Sequence, residues 1–491
     1  MIPTFMGINT VTLGLGAAQV SLNTTGHNIT NASTPGYSRQ TANLATTPSI
    51  SLYGGGGALQ VGTGVKTQSV TRARDALIDM QYRQQNATQN FWQNQSDNYG
   101  LIENIFYDGT VGTQTVGLQA SISNFWTSLQ TLAAKPTNVG ARTSVREMGN
   151  ALVKTLKQDS DHLKSMAEDL TKQISSQVND INNIAQQIAV LNTKISAQES
   201  NGSIANDLRD LRDLKVDQLS KLANVQVFEG SSGNYQVTVG GVAVVQGDRT
   251  YALKVEEGQN TKYSITTSTV KLEAPPNTPV QFTSGTLASM IQMRDETITG
   301  KLDELDTIAQ FLLQTFNDQH KQGLDNNRNN GKNFFGDDAV NYNPTPPATH
   351  TPATCWLDEL KVNDTLYTPA GLDLIAASAK TSADKDEGSN ATLLSNLLNK
   401  DTSAILGSNT LLEYYGKMTG TLGVQSQQAT NQASSESQLL ASTNNWREAI
   451  SGVNMDEEMS NMIKFQKAYQ AAANVLSTMN SMLDTLINRT A

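Results

Sequence analysis

The 491-residue chain has one cysteine, Cys355. No intramolecular disulfide can form and no thiolate metal cluster can assemble, which excludes a disulfide scaffold and a zinc-ribbon protein. A lone thiol reads as a small buried hydrophobe. Histidine is nearly as scarce: His27, His162, His320 and His350 stand at no metal-ligand spacing. Aromatic residues make up 6% of the chain. That composition, with its plentiful Asn, Gln, Ser, Thr and Ala, suits long polar helices and assembly surfaces better than a dense enzyme core. No run reaches the ~18 to 20 apolar residues of a membrane span. Lys and Arg total 35 against 45 Asp and Glu, a net charge of −10, which argues against nucleic acid as a partner.

Charge is also missing locally. No basic side chain precedes Arg39 and no acidic one precedes Asp75. The charged start of a secretory signal is therefore lacking, and the expectation is a chain that stays in the cytoplasm or leaves by a route that does not read that signal. In place of charge, Ile8, Val11, Leu15, Ala18, Leu22 and Ile29 step by threes and fours, with Thr25 as a polar member. Such a helix gains order only when other helices cover it. It should stop near Asn31, because Ser33-Thr34-Pro35-Gly36-Tyr37 is a turn signal.

The partner is expected at the other end. Gly452 to Ala491 reads as one long amphipathic helix. Its stripe is Met455, Met459, Met462, Tyr469, Ala473, Leu476, Leu483 and Ile487, broken only at Gln466 and Asn480. Asp456, Glu457 and Glu458 crowd its first turn, where the helix dipole favours anions. Residues 1–74 and 450–491 are thus expected to form a terminal coiled-coil domain. After the first turn come polar extended residues and Gly54-Gly55-Gly56-Gly57, read as a hinge; neither this run nor Gly62-Thr63-Gly64 matches a phosphate loop.

Between the ends, 75–222, 284–330 and 392–449 carry helical periodicity and are expected to form a helical body. Leu118, Ile122, Phe125, Trp126, Leu129 and Leu132 mark one helix, ended by Lys135-Pro136. The longest element, Val139 to Gln198, has a heptad seam at Ile174, Val178, Ile181, Ala185, Ile188 and Ile195 and reads as a strut. The next helix has Leu208, Leu211, Leu214, Leu219 and Leu222 as its apolar face, with the run Asp207-Arg209-Asp210-Arg212-Asp213 turned to solvent. Residues 223–283 change to period two around a Gly240-Gly241 turn, a small β domain expected to lie outermost. Residues 331–391 read as a second small insert with a proline-rich linker. The C-terminal body helix, Leu411 to Ile450, passes through Val424, Ala429, Leu439, Leu440 and Trp446. Asp325 to Gly331 resembles a calcium loop, but its glycine falls one place late and the twelfth position has no Glu, so a plain Asn/Gly turn is the simpler reading.

Two long end signatures carry a resemblance. Gly14-Leu15-Gly16-Ala17-Ala18-Gln19 with Asn28-Ile29-Thr30-Asn31-Ala32-Ser33-Thr34-Pro35-Gly36-Tyr37-Ser38-Arg39 resembles the N-terminus of the bacterial flagellar axial family of rod, hook and hook-associated proteins. Ser451 to Glu458, with Phe465 to Ala471 and Leu483 to Ile487, is similar to the C-terminus of the hook-associated protein 1 branch at the hook–filament junction. The resemblance implies a mainly α fold with inserted β, in a nested axial architecture: terminal helices at the core, a long-helix bundle around them and inserts outside. It implies a secreted structural subunit, exported by the flagellar type III route, which joins hook to filament by self-assembly through its terminal helices. The partners implied are further copies of the chain in a ring or tube, the hook subunit, the second hook–filament junction protein and an export chaperone on the C-terminal helix. Among the turn residues it adds Asn28, Asn31, Gly36 and Tyr37 to the seam positions as assembly-interface candidates. No cofactor and no metal is implied. Another axial protein such as the hook subunit is the alternative within the class. A hydrolase on a helical scaffold is the alternative outside it, against which stands the lack of any Ser/His/Asp, Cys/His or carboxylate cluster.

Overall fold

The computed structural model describes residues 6–54, 57–111, 114–230, 233–342, 355–380, 384, 386–397 and 404–488. The uncharged N-terminal stretch forms helix α1, Met6–Asn31. It ends in the expected turn, where Gly36 has a φ of 81°, a region glycine enters without steric cost. Strand β1 (Gln40–Thr46) leads into a hairpin of β2 (Ile50–Gly54) and β3 (Gly57–Val61), and β4 (Val65–Arg72) returns antiparallel to β1. The glycine run read as a hinge thus falls at the end of a hairpin, with Gly54 paired to Gly57; Gly55 and Gly56 lie outside the described residues.

Asp75 caps helix α2 (Ala76–Ile105), its carboxylate accepting from the Leu77 and Ile78 amides. A small hairpin, β5 (Gly109–Val111) and β6 (Gln114–Val116), precedes α3 (Leu118–Ala134), whose six predicted apolar positions are all buried. Helix α4 (Val139–Glu199) runs 61 residues, about 90 Å at ~1.5 Å per residue. Every residue of its predicted seam is buried. Helix α5 (Asn206–Leu222) doubles back on it.

Strands β7 (Val225–Glu229), β8 (Tyr235–Val239), β9 (Val242–Gln246) and β10 (Arg249–Thr250) form an antiparallel sheet in the order β10-β9-β8-β7. Gly240 and Gly241 make its turn at φ 57° and 83°. A second sheet pairs β11 (Leu253–Asn260) with β12 (Ile265–Leu272). Polar side chains of α4 bind both sheets directly. Asn192 Nδ2 donates to the Tyr235 and Gly247 carbonyls at 3.0 and 2.7 Å, Asn182 Nδ2 to Leu253 at 2.9 Å, and Thr171 Oγ1 to Thr266 at 2.9 Å. The β residues expected outside the helical body are thus attached to it through α4. Two small sheets need another layer for their apolar faces, and Val237, Val239, Val245 and Val270 share one core with α4.

Helices α6 (Thr286–Gln292), α7 (Thr299–Phe311) and α8 (Asn317–Gln322) are continuous, joined by π-helical turns at Met293–Ile298 and Leu312–Phe316. After the short strand β13 (Gly323–Leu324), Asp325 Oδ1 accepts from the Asn327 and Asn329 amides, each at 2.8 Å, so this carboxylate organises its own turn. Helix α9 (Trp356–Glu359) and strand β14 (Ser378–Ala379) lie within the second insert, and helix α10 (Ser389–Asn396) runs across its expected end. The insert's Leu360, Val362 and Ile375 enter the common core beside Phe334 and Phe335. The proline-rich linker falls mostly at 343–354, outside the described residues. His320 is buried: Nδ1 lies 2.7 Å from the Lys332 carbonyl, and Nε2 accepts from the Ala376 amide at 2.9 Å.

Helix α11 (Leu411–Ser451) opens with a capping box, Thr410 and Glu413, and packs along α2. Its inner seam is Leu411, Tyr415, Met418, Leu422, Ser426, Ala429 and Ala433. Val424, Leu439 and Trp446, taken from sequence as apolar points of this helix, are exposed. Helix α12 (Met455–Asn488) closes the chain and packs along α1.

Candidate assembly surface and the joint behind it

Helices α1 and α12 pair antiparallel. Met479 sits over Gly7, where an added Cβ would come within 2.7 Å of its methyl carbon, and Glu458 meets Asn28, 21 residues on along α1 and 21 back along α12. The residues of α12 turned inward are Glu458, Met462, Phe465, Tyr469, Ala472, Leu476, Met479 and Leu483. This corrects the sequence register at both ends. Met455, Met459 and Ile487 are exposed, while Phe465 and Met479 fill the steps at which Gln466 and Asn480 broke the stripe. A helix with apolar residues on several faces permits more than one stripe, and the contact with α1 selects among them.

On α1 the inward residues are Ala17, Ala18, Ser21, Thr25 and Asn28. Ile8, Val11, Leu15, Leu22, Ile29 and Asn31 are half-buried along its flanks, as are Gly36 and Tyr37 in the turn. Small and polar residues therefore form the contact line, which lets the backbones approach closely, and aliphatic ones flank it. Asn28 is the hub. Its Oδ1 accepts from the Gln40 amide at 2.9 Å and from the Tyr37 hydroxyl at 2.8 Å; its Nδ2 donates to the Gln40 carbonyl at 2.9 Å and to Glu458 Oε2 at 3.1 Å. Burial, then the charges of Asp207, Asp210 and Glu458, raise the Tyr37 hydroxyl above its ordinary pKa. Arg39 completes the link to α12, its amide donating to the Ser451 carbonyl at 2.8 Å and its guanidinium to Glu457 at 2.9 Å.

Behind this pair lies a joint that sequence reasoning misread. The charged run of α5 turns mostly inward: Asp210, Arg212 and Asp213 are buried, Arg209 is half-buried and Asp207 alone of the five is exposed, while Asp217 beyond the run is buried and Leu211 is exposed. The carboxylates meet arginines from three other places. Arg72 of β4 binds Asp210 at 2.8 Å and Asp213 at 2.9 Å; Arg74 binds Asp213 at 3.1 Å and Asp79 of α2 at 3.2 Å. Arg83 of α2 reaches Asp213 at 3.2 Å and Asp217 at 2.9 Å, and Arg447 of α11 reaches Asp217 at 2.6 Å. Ser38 fixes the turn to the same helix, its amide and hydroxyl donating to Asp210 at 2.9 and 2.7 Å. Burial alone would raise the Asp213 carboxyl. Arg74, Arg72, Arg83 and the Tyr235 hydroxyl, 2.7 Å away, overcome it and hold that carboxyl well below the ordinary range. Burial and then Asp213 push Tyr235 up to about 12. The Arg212 guanidinium lies 3.4 Å from the Tyr235 ring centroid and donates to Asn192 and the Gly233 carbonyl, each at 2.8 Å.

The joint thus ties the terminal segments (the turn, β4 and the end of α11) to the body helices α2 and α5. One signal for it was present: Arg72 and Arg74 are two apart in an extended stretch, which places both on one face. What the sequence did not contain was the meeting of that face with α5.

Comparison with known proteins agrees with this architecture. The model of the flagellar hook-associated protein FlgK helical domain matches residues 102–335, and that of the flagellar basal body rod FlgEFG protein C-terminal region matches 449–489. The flagellar hook-associated protein 1 of Bacillus subtilis (strain 168) is 30% identical over 515 residues, covering 99% of each chain. That of Escherichia coli (strain K12) is 27% identical over 98% of this chain and 99% of its own. The solved flagellar hook junction protein FlgK from Burkholderia pseudomallei superposes with a TM-score of 0.62 at 17% identity, covering 76% of this chain and 100% of that one, and so shares the fold. The paired terminal helices, long-helix body and hung sheets are those of a flagellar axial protein, mainly α with inserted β. Within that class the chain belongs to the flagellar hook-associated protein 1 family, a structural family of the flagellum. No helix among the described residues is long and apolar enough to cross a membrane.

Proposed function

We propose that this chain is the structural subunit that joins the flagellar hook to the filament, assembling with copies of itself through α1 and α12. The observation that carries the reading is the excess of apolar surface on α12. Its inward row is used on α1, yet Met459, Ile463, Val475 and Met482 remain exposed, Met482 to 61%. A helix apolar on several faces is stable when several neighbours cover it. In a tubular assembly those neighbours are the terminal helices of adjacent copies, the hook subunit on one side and the second junction protein on the other. The same surface needs cover before assembly, which suits an export chaperone on α12.

Val475→Asp with Met482→Asp tests this more cleanly than substitution of Leu476 and Leu483, which already face α1. The double variant should melt as the parent chain does, yet be absent from isolated hooks. Retention at the parent level would overturn the role given to α12.

A further inference from the structure

Strand β7 ends its sheet, and among the described residues no other strand pairs with its outer edge. The Asn224 carbonyl accepts from the Gly240 amide and the Gly230 amide donates to the Asn234 carbonyl, so the even-numbered residues exchange bonds with β8. In an antiparallel ladder the alternate residues turn their backbone groups the other way. Val225, Val227 and Glu229 therefore present their N–H and C=O groups to the open edge. Such edges are ordinarily blunted by Lys, Pro, a bulge or a covering element. Here the register with β8 is unbroken over five residues, and none of them is Lys or Pro.

The edge forms one wall of a cleft of about 950 Å³ whose other wall is the first turns of α2. Asn224 to Glu229 all line it, residues from both faces of the strand, which only the edge of a strand brings to one cleft. Thr283 and Ser284 bound the Asn224 end, the Thr283 amide donating to Asn224 Oδ1 at 3.3 Å. Leu77 and Met80 (each 57% exposed) and Phe228 (55%) make the walls apolar. The ionised groups of the lining are already engaged: Asp79 by Arg74, Arg83 by Asp213 and Asp217, and Glu229 by Arg209 at 2.7 Å. No charge is left over to hold an ion.

What remains is a row of backbone donors and acceptors between apolar side chains. A helix spends its own backbone groups internally and a lipid chain has none, so neither answers that row. We infer that the cleft takes an extended, uncharged segment of a partner protein, apolar at alternate positions, which adds to β7 as a fifth strand. A match to all of β7 is ~17 Å long at ~3.4 Å per residue. Side chains on one face of the added strand meet Val225 and Val227, and those on the other meet Phe228. A charged residue there loses its hydration with nothing to compensate it. The cleft involves neither α1 nor α12, so its test is independent of the junction role.

A phage-displayed library of random dodecapeptides is selected on the full-length chain, with subtraction on the double variant Leu77→Glu, Met80→Glu. Both replaced side chains are exposed, so the double variant should melt as the parent does. Phe228→Lys, on the opposite wall, gives the same reading if it does not. The expected result is a set of uncharged peptides, apolar at alternate positions, that bind the parent about tenfold or more tightly than either variant. N-methylation of one alternate set of their amides should lower affinity about tenfold or more, and that of the other set should not, because only one set faces β7. No enrichment over the variants, or equal effects of the two methylated sets, would overturn strand addition. A larger sedimenting species of the parent that both variants lack would assign the cleft to a second copy, and would overturn it as well.

Discussion

Asn28 Nδ2 donates to Glu458 Oε2 at 3.1 Å, bringing together residues 430 positions apart, and both side chains are buried. A hydrogen bond to a charged group is worth about 1.5–3 kcal/mol. Asn28→Ala should therefore speed amide exchange in α1 and α12 by roughly 10- to 100-fold, with α4 unaffected. Equal acceleration along α4 would mean that the hub supports the whole fold instead of the terminal pair.

Asp213 lies among Arg72, Arg74 and Arg83, and removing one partner of a buried charge network leaves the others uncompensated. Asp213→Asn should cost about 3–5 kcal/mol, read as a lowered denaturant midpoint. The loss should persist at high salt, since buried pairs are little screened. The carboxyl is held low in the folded state, so its contribution is present above the unfolded pKa of about 4 and disappears only as pH falls below it.

His320 has a pH dependence of the same sign, in a higher window. Burial lowers its pKa to about 4, against an ordinary value near 6.5. Its contribution is present above about pH 6.5 and is lost as pH falls toward 4, by roughly 3 kcal/mol in total. Thermal melts from pH 7 to pH 4 should show this slope in the parent chain, and His320→Gln should flatten it while lowering stability at pH 7.

Asp159 runs the other way. Burial, and then Asp108, push its carboxyl up to about 7, so the folded state holds a proton that the unfolded chain releases near pH 4. Stability from this site is greatest at low pH and is lost as pH rises to about 7. Asp159→Asn should accordingly raise stability at pH 8 by roughly 3–4 kcal/mol and change little at pH 4. A variant no more stable at pH 8 than the parent would show that the folded carboxyl is not raised.

Elements with one partner and one apolar face were legible in the sequence. Helix α3 buries all six residues its period marked, and the seam of α4 from Ile174 to Ile195 is buried throughout. Elements with two candidate faces were not. In α12 the row through Met459 and the row through Phe465 are both apolar, and only the position of α1 distinguishes them. In α5 the leucines and the carboxylates both recur at helical spacing. The general preference for buried leucine is outweighed there by Arg72, Arg74, Arg83 and Arg447, which converge from separate parts of the chain and bury the charged face while leaving Leu211 outside. The same limit applies to α11, where the spacing that marks Val424 and Trp446 as apolar carries no sign of which side α2 will take.

The antiparallel pairing of α1 with α12 also sets an order of events in time. The first helix of the chain has as its partner the last, so whichever end emerges first stays uncovered until nearly the whole chain has followed. Closing a loop of that length is slow, while the contacts between α3 and α4 or α4 and α5 are local and fast. The body can be complete while the terminal pair is still open, and that pair is the last part of the molecule to form.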